Sequence, residues 1–190
     1  MASAFCSKLA KIAEGQHSKF HFIQEEDDPL RTQIKAYWKA VGLAPQPIST
    51  PWSAAFVSWC VKEAGATAAE FKFASAHSQF VNKAIKNAKL GVGVFRGIDA
   101  ATAKPEIGDI IQNNRGGTKF NFAHAAAKAS YQSHSAIVVE TGSDSLGRFA
   151  LTIGGNESDS IRRVRVALKA DGTIKQRTSN PYISVIKTLK

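Results

Sequence analysis

The chain has 190 residues, 44% of them hydrophobic and 21% charged, with a formal net charge of +10. That size and balance suit one folded domain with a substantial core and exclude a disordered or fibrous polypeptide. Two cysteines exclude a disulfide framework, and no apolar run approaches the roughly 20 residues of a membrane-spanning helix.

The segment Met1–Lys8 lacks a basic stretch followed by a long apolar core, so synthesis in the cytoplasm without a signal peptide is expected. Residues 3 to about 20 place Phe5, Leu9, Ile12 and Ala13 at helical spacing. The run Glu25-Glu26-Asp27-Asp28-Pro29 then announces a second helix. Asp28 can cap it, Pro29 suits its first turn, and acidic side chains favour the positive helix end. Consecutive carboxylates do not converge easily on one ion, so capping outweighs a metal site. Helix two carries Ile34, Tyr37, Trp38 and Val41 and ends at Gly42. A Pro-rich loop over 43–48 precedes helix three, expected from Thr50 or Pro51 to about Ala64, with Gly65 as its stop. Its stripe of Trp52, Phe56, Val57, Cys60 and Val61 is a buried face. Helix four begins near Ser75 and carries Phe80, Val81, Ile85 and Ala88.

The second half changes character. Strands are expected at 91–95, 109–112, 135–141, 148–153, 161–168, 173–177 and 182–189, rich in β-branched residues and divided by Gly, Asp and Asn. Asp144-Ser145-Leu146-Gly147 and Ala170-Asp171-Gly172 read as hairpin turns. Residues 113–132 form either a long binding loop or a loop with a short helix at 123–129. Helices followed by antiparallel strands give an α+β fold, one domain over 1–190 with a helical part to about 90 and a sheet part from 91.

The positive charge favours an anionic partner: nucleic acid, a membrane surface or a bacterial wall polymer. No aromatic residues interleave the Arg162-Arg163-Val164-Arg165 cluster or Lys83, Lys86 and Lys89, so specific nucleic-acid binding is not expected. His17 and His21 stand at i, i+4 without a third ligand nearby, and no metal or cofactor is expected. Cys60 reads as an inert thiol on an apolar helix face.

Three residues can do chemistry together. With Thr50 as cap and Pro51 as the first helical residue, Ser53 becomes the third, near unpaired N–H groups that stabilise an oxyanion. A serine needs a base, and His134 heads an apolar strand where it can face a cleft. Asn156, behind Gly154-Gly155, can accept an imidazole N–H and fix its tautomer; Glu157 and Asp159 are alternatives for that role. Each residue also has an ordinary structural reading: a first-turn serine, a polar strand terminus, a turn asparagine.

Four segments in order, Pro51-Trp52-Ser53-Ala54-Ala55-Phe56, Pro105-Glu106-Ile107-Gly108-Asp109, Ser133-His134-Ser135-Ala136-Ile137-Val138 and Gly154-Gly155-Asn156, resemble the NlpC/P60 and CHAP superfamily of papain-like amidases. The nearest likeness is to a little-characterised bacterial branch with serine in place of the nucleophilic cysteine. The resemblance implies a papain-like fold and a peptidoglycan-directed amide hydrolase, an amidase or endopeptidase. It assigns Ser53, His134 and Asn156 the catalytic positions. Trp52, His77, Asp109 and Arg115 are the candidate substrate-binding residues. Cys60, seven residues beyond Ser53, lies about 10 Å along the helix and does not substitute for it. An exported antibacterial effector, delivered to the periplasm of a target cell with an immunity or delivery protein as partner, fits this reading, as does a phage-type lysin. Two other readings stay open: a catalytically silent module binding wall polymer or a protein, and other hydrolase or transferase chemistry on the same fold.

Overall fold

The apolar periodicity along the first half resolves into four helices in the computed structural model, which describes residues 2–190. Helix α1 spans Ala4–Phe20, with Ser3 as its cap accepting from the Cys6 N–H. Helix α2 spans Leu30–Ala40. Asp28 serves its N-terminus, its carboxylate accepting from the Thr32 backbone N–H and hydroxyl and from Arg31. Helix α3 spans Ser53–Ala64 and stops at Gly65, which adopts φ of 107°. Helix α4 spans His77–Leu90 and stops at Gly91, also left-handed.

The second half forms β1 (Phe95–Asp99), β2 (Ile110–Asn114), the short α5 (Phe122–Ala127), β3 (Ser133–Asp144), β4 (Gly147–Glu157), β5 (Ser160–Ala167) and β6 (Tyr182–Thr188). The strands make one antiparallel sheet of order β1-β6-β2-β3-β4-β5. The fold is therefore α+β, with helices packed on a six-stranded sheet. The Asp144–Gly147 turn joins β3 to β4 as a hairpin.

Two expected strands fall elsewhere. The first begins at Phe95 because residues 91–94 finish α4: Val92 N–H bonds the Asn87 carbonyl and Gly91 N–H the Ala88 carbonyl. Gly97 lets β1 pass close to that helix, since a Cβ there would lie 2.7 Å from Ile85 Cγ1. The stretch 173–177 is no strand but an isolated bridge, Leu168 to Ile174. It turns tightly at Asp171, whose carboxylate accepts from Thr173 N–H and hydroxyl.

Alternation along the strands builds two apolar clusters. Ile110, Ile137, Ile153, Ile161 and Ile186 pack with helical residues including Leu9, Phe56 and Phe80. Ile111, Val138, Val166, Tyr182 and Val185 pack with Ala100, Ala103 and Ile174 from the connections across the other face. Fully burying side chains of this size contributes about 1.5–3 kcal/mol each. Among the described residues no helix is long and apolar enough to cross a membrane.

Candidate active site

Ser53 is the first residue of α3 rather than the third. Thr50 is held back in a turn, its N–H bonded to the Pro47 carbonyl, and the first helical bond runs from Phe56 N–H to the Trp52 carbonyl. Trp52 occupies the cap position without a capping side-chain bond. The N–H groups of Ser53, Ala54 and Ala55 therefore have no partner within the helix.

The hydroxyl of Ser53 meets a histidine, but not the expected one. Ser53 Oγ lies 2.7 Å from Nε2 of His77, the first residue of α4. Both side chains are buried, Ser53 at 2% exposure and His77 at 5%. Burial, then the neighbouring His134 and Arg115, hold the His77 pKa well below 6.5, so its imidazole is neutral at physiological pH. His77 Nδ1 is buried with no hydrogen-bond partner.

His134 stands behind His77, with ring centroids 5.3 Å apart and nearly edge-on. Its Nε2 lies 2.8 Å from Glu157 Oε1. The alternation of β3 explains the arrangement. His134 shares parity with Val138, which packs in the cluster facing away from the helices. Ser53 belongs to the helical layer, and His77 occupies the space between them.

Asn156 does not partner the histidine either. The β4–β5 register shifts between Gly155 and Glu157, and Asn156 adopts φ of 56°. That bulge takes the Asn156 amide away from His134 and brings Glu157 to it. Asn156 Nδ2 instead donates to Glu25 Oε2 at 2.6 Å, an oxygen that also accepts from Trp52 Nε1 at 2.8 Å. Glu25 N–H in turn donates to the Asp159 carbonyl. One carboxylate from the loop between α1 and α2 thus ties the start of α3 to the β4–β5 turn. Nothing in the acidic run marks Glu25 for this role, because its partners are far away in sequence.

The two glycines before Asn156 are required by contact. A Cβ on Gly154 would meet Glu157 Oε1 at 2.1 Å, and one on Gly155 would meet Trp52 Cζ3 at 2.5 Å. Gly154 makes room for the histidine–carboxylate pair, and Gly155 lets β4 lie against α3.

The other candidates separate. Trp52 is fully buried among Tyr37 and Phe56, so it packs rather than presenting a face to substrate. Asp109 is 2% exposed and accepts from Lys187 and from the N–H groups of Glu106 and Thr188, which fastens the start of β2 to β6. His77 is a partner of Ser53. Arg115 lines an open cleft together with His134, Asn156 and Glu157. Cys60 is fully buried, and burial pushes its thiol pKa well above the usual range. The cleft has a volume of about 190 Å³ and lies over the second apolar cluster, with Ile111, Val166 and Tyr182 among its walls. Ser53 does not line it.

Residues 17–185 match the model of a family described as an uncharacterized protein conserved in bacteria, DUF2272. The match spans most of the chain, which therefore belongs to that family. No curated protein and no solved structure matches the chain.

Proposed function

We propose that this protein is an amide hydrolase of the papain-like class, acting on peptidoglycan through Ser53. The observation that carries the reading is the 2.7 Å contact of Ser53 Oγ with a neutral histidine at an uncapped helix start. A neutral His77 with its proton on Nδ1 accepts the Ser53 hydroxyl proton at Nε2 as Oγ attacks the carbonyl. The free N–H groups of Ser53, Ala54 and Ala55 supply donors for the oxyanion. Collapse releases the amine and leaves an acyl ester on Ser53; water then cleaves it, and the proton held on His77 returns to Ser53 Oγ. His134, held by Glu157, faces the cleft, where it can protonate the leaving amine and activate that water.

This assignment departs from the resemblance in two respects: His77 rather than His134 is the first acceptor, and Glu157 rather than Asn156 holds His134. The resemblance to NlpC/P60 and CHAP enzymes supplies the substrate class. Delivery to the periplasm of a target cell, or release as a lysin, is the setting in which such an enzyme meets its polymer.

A second reading, a silent module that binds the wall, draws on the burial of Ser53 and its absence from the cleft lining. Purified sacculi distinguish the two. The wild-type chain should release soluble fragments detectable by mass spectrometry, and Ser53→Ala and His77→Ala should each stop the release while keeping the wild-type circular dichroism spectrum. Wild-type protein that co-sediments with sacculi but releases nothing is the binding module.

A further inference from the structure

The cleft beside His134 has an uncompensated charge. Arg115 and Arg177 stand on its wall, and the one carboxylate lining it, Glu157, is engaged by His134. Among the described residues neither arginine forms an ion pair, whereas Arg31, Arg163 and Arg165 each have a carboxylate within 4 Å.

Both guanidinium groups are carried on segments that are tied together. Arg177 lies over the Tyr182 ring at 4.5 Å and donates through Nε to the Asn180 carbonyl, which leaves its terminal nitrogens free. Arg115 is half-buried and follows Asn114, a buried side chain that fixes the loop. Asn114 Nδ2 donates to the Phe120 and Pro181 carbonyls, and its Oδ1 accepts from Phe120 N–H and Thr118 hydroxyl. Gly117 N–H then donates to Asn180 Oδ1, joining the loop after β2 to the turn before β6. The Arg177 fork, held by its own contacts, loses less conformational freedom when it takes a carboxylate, and Arg115 is presented from a fixed loop.

We infer that this cleft is a carboxylate subsite, in which Arg115 and Arg177 hold an acidic side chain or terminal carboxylate of a peptide. The inference rests on the hydrolase reading for the cleft's relation to the scissile bond, and it names the peptide feature that reading would select. The apolar floor suits the aliphatic stem of such a residue. Glu157 on the same wall disfavours a polymer that carries phosphate on every unit. A carboxylate seated on the arginines shares the cleft with His134, whose ring meets that of His77.

The test uses the full chain carrying Ser53→Ala, so that binding is read without turnover. Its probes are the tetrapeptide Ala-Glu-Lys-Ala, the same peptide with Gln for Glu and an amidated C-terminus, and a short phosphodiester polymer. Binding is followed by calorimetry and by chemical-shift changes of the Tyr182 ring. The acidic peptide should bind at least tenfold more tightly than its amide counterpart. Arg115→Gln and Arg177→Gln should each remove most of that difference. Equal binding of the two peptides overturns the inference, as does indifference to both arginine variants or tighter, arginine-dependent binding of the phosphodiester. If the acidic peptide binds as expected while wild-type protein never cleaves sacculi, the hydrolase reading fails and the carboxylate subsite stands.

Discussion

Adding one methyl group at Gly154 should break the His134–Glu157 pair and spare the fold. The Cβ of Gly154→Ala would lie 2.1 Å from Glu157 Oε1 and 2.9 Å from His134 Nε2, where ordinary contact begins at 3.4 Å. The carboxylate oxygen must therefore retreat by about 1.3 Å, the difference between 3.4 and 2.1 Å. Directed away from the ring, that retreat stretches the 2.8 Å contact to about 4.1 Å, beyond any hydrogen bond. Gly154 does not have a positive φ, so alanine is compatible with the backbone. The atom in the way ends a flexible, one-fifth exposed side chain, so the lost stability should be about 1 kcal/mol. Gly155→Ala is the control one residue away. Its Cβ would meet Trp52 Cζ3 at 2.5 Å and Phe56 Cβ at 2.8 Å, both in fully buried side chains, with no room to yield. Overpacking there should cost about 1–3 kcal/mol or more. Urea unfolding measures both costs. The ¹⁵N spectrum of the His134 imidazole shows which nitrogen carries the proton and should change in Gly154→Ala. Release of wall fragments should fall by roughly 10²–10⁴-fold, the range that proton-transfer groups contribute. An unchanged His134 spectrum, or a stability loss as large as that of Gly155→Ala, would refute the reasoning.

His77 predicts an acid limb in stability. Its folded pKa lies well below 6.5, first from burial and then from His134 and Arg115, so the unfolded chain binds more protons below that pH. The stabilisation is complete above pH 6.5 and is lost as pH falls through it, by up to about 1.4 kcal/mol per unit. His77→Gln should flatten the limb between pH 7.5 and 5 in urea midpoints, and parallel limbs in the two proteins would count against a buried neutral imidazole. Glu25 predicts a loss spread over two elements. Glu25→Ala leaves the buried Trp52 N–H and the Asn156 amide without their shared acceptor and should cost about 1–3 kcal/mol. Glu25→Gln keeps an acceptor oxygen and should recover most of it; thermal unfolding identical in wild type and Glu25→Ala would show that the carboxylate holds nothing together.

The elements that follow from local rules were legible. Gly65 ends α3 in the left-handed region, as a glycine after an apolar stripe does. Asp28 serves the start of α2, and the Asp144–Gly147 turn closes its hairpin. What the chain concealed were contacts set by parity and by a bulge. His134 and Ser135 lie between strand residues that are apolar on both faces, Ala136 and Val138 on one side and Ile137 and Val139 on the other. With both faces buried, alternation could not say which side His134 takes, and a one-residue difference reverses it. Gly-Gly-Asn hinted at an unusual backbone, but the register shift that exchanges Asn156 for Glu157 at the histidine falls where Gly155 lies against Trp52, a neighbour about a hundred residues earlier in the chain.

The placement of His77 decides how Ser53 can act. A serine at an uncapped helix start has donors for an oxyanion but no base of its own, and the nearest imidazole is one that burial keeps neutral. Neutrality leaves Nε2 able to accept a proton, yet the same burial lowers its basicity and disfavours the imidazolium that acceptance creates. A carbonyl oxygen entering beside Ser53 brings partial negative charge toward that ring, and the oxyanion that follows brings a full one. Each favours the protonated His77 by Coulomb attraction in a site of low dielectric. The base should therefore strengthen as substrate arrives. Acylation of Ser53 by a neutral active ester should accordingly be slower than acylation by a substrate whose carboxylate enters the arginine cleft, which places negative charge near His134, the neighbour of His77, before the attack begins. Comparing stopped-flow acylation by an uncharged ester with acylation by its carboxylate-bearing analogue tests this directly, and a reaction of the uncharged ester as fast as or faster than that of the analogue would mean that a carboxylate in the cleft does not assist the serine.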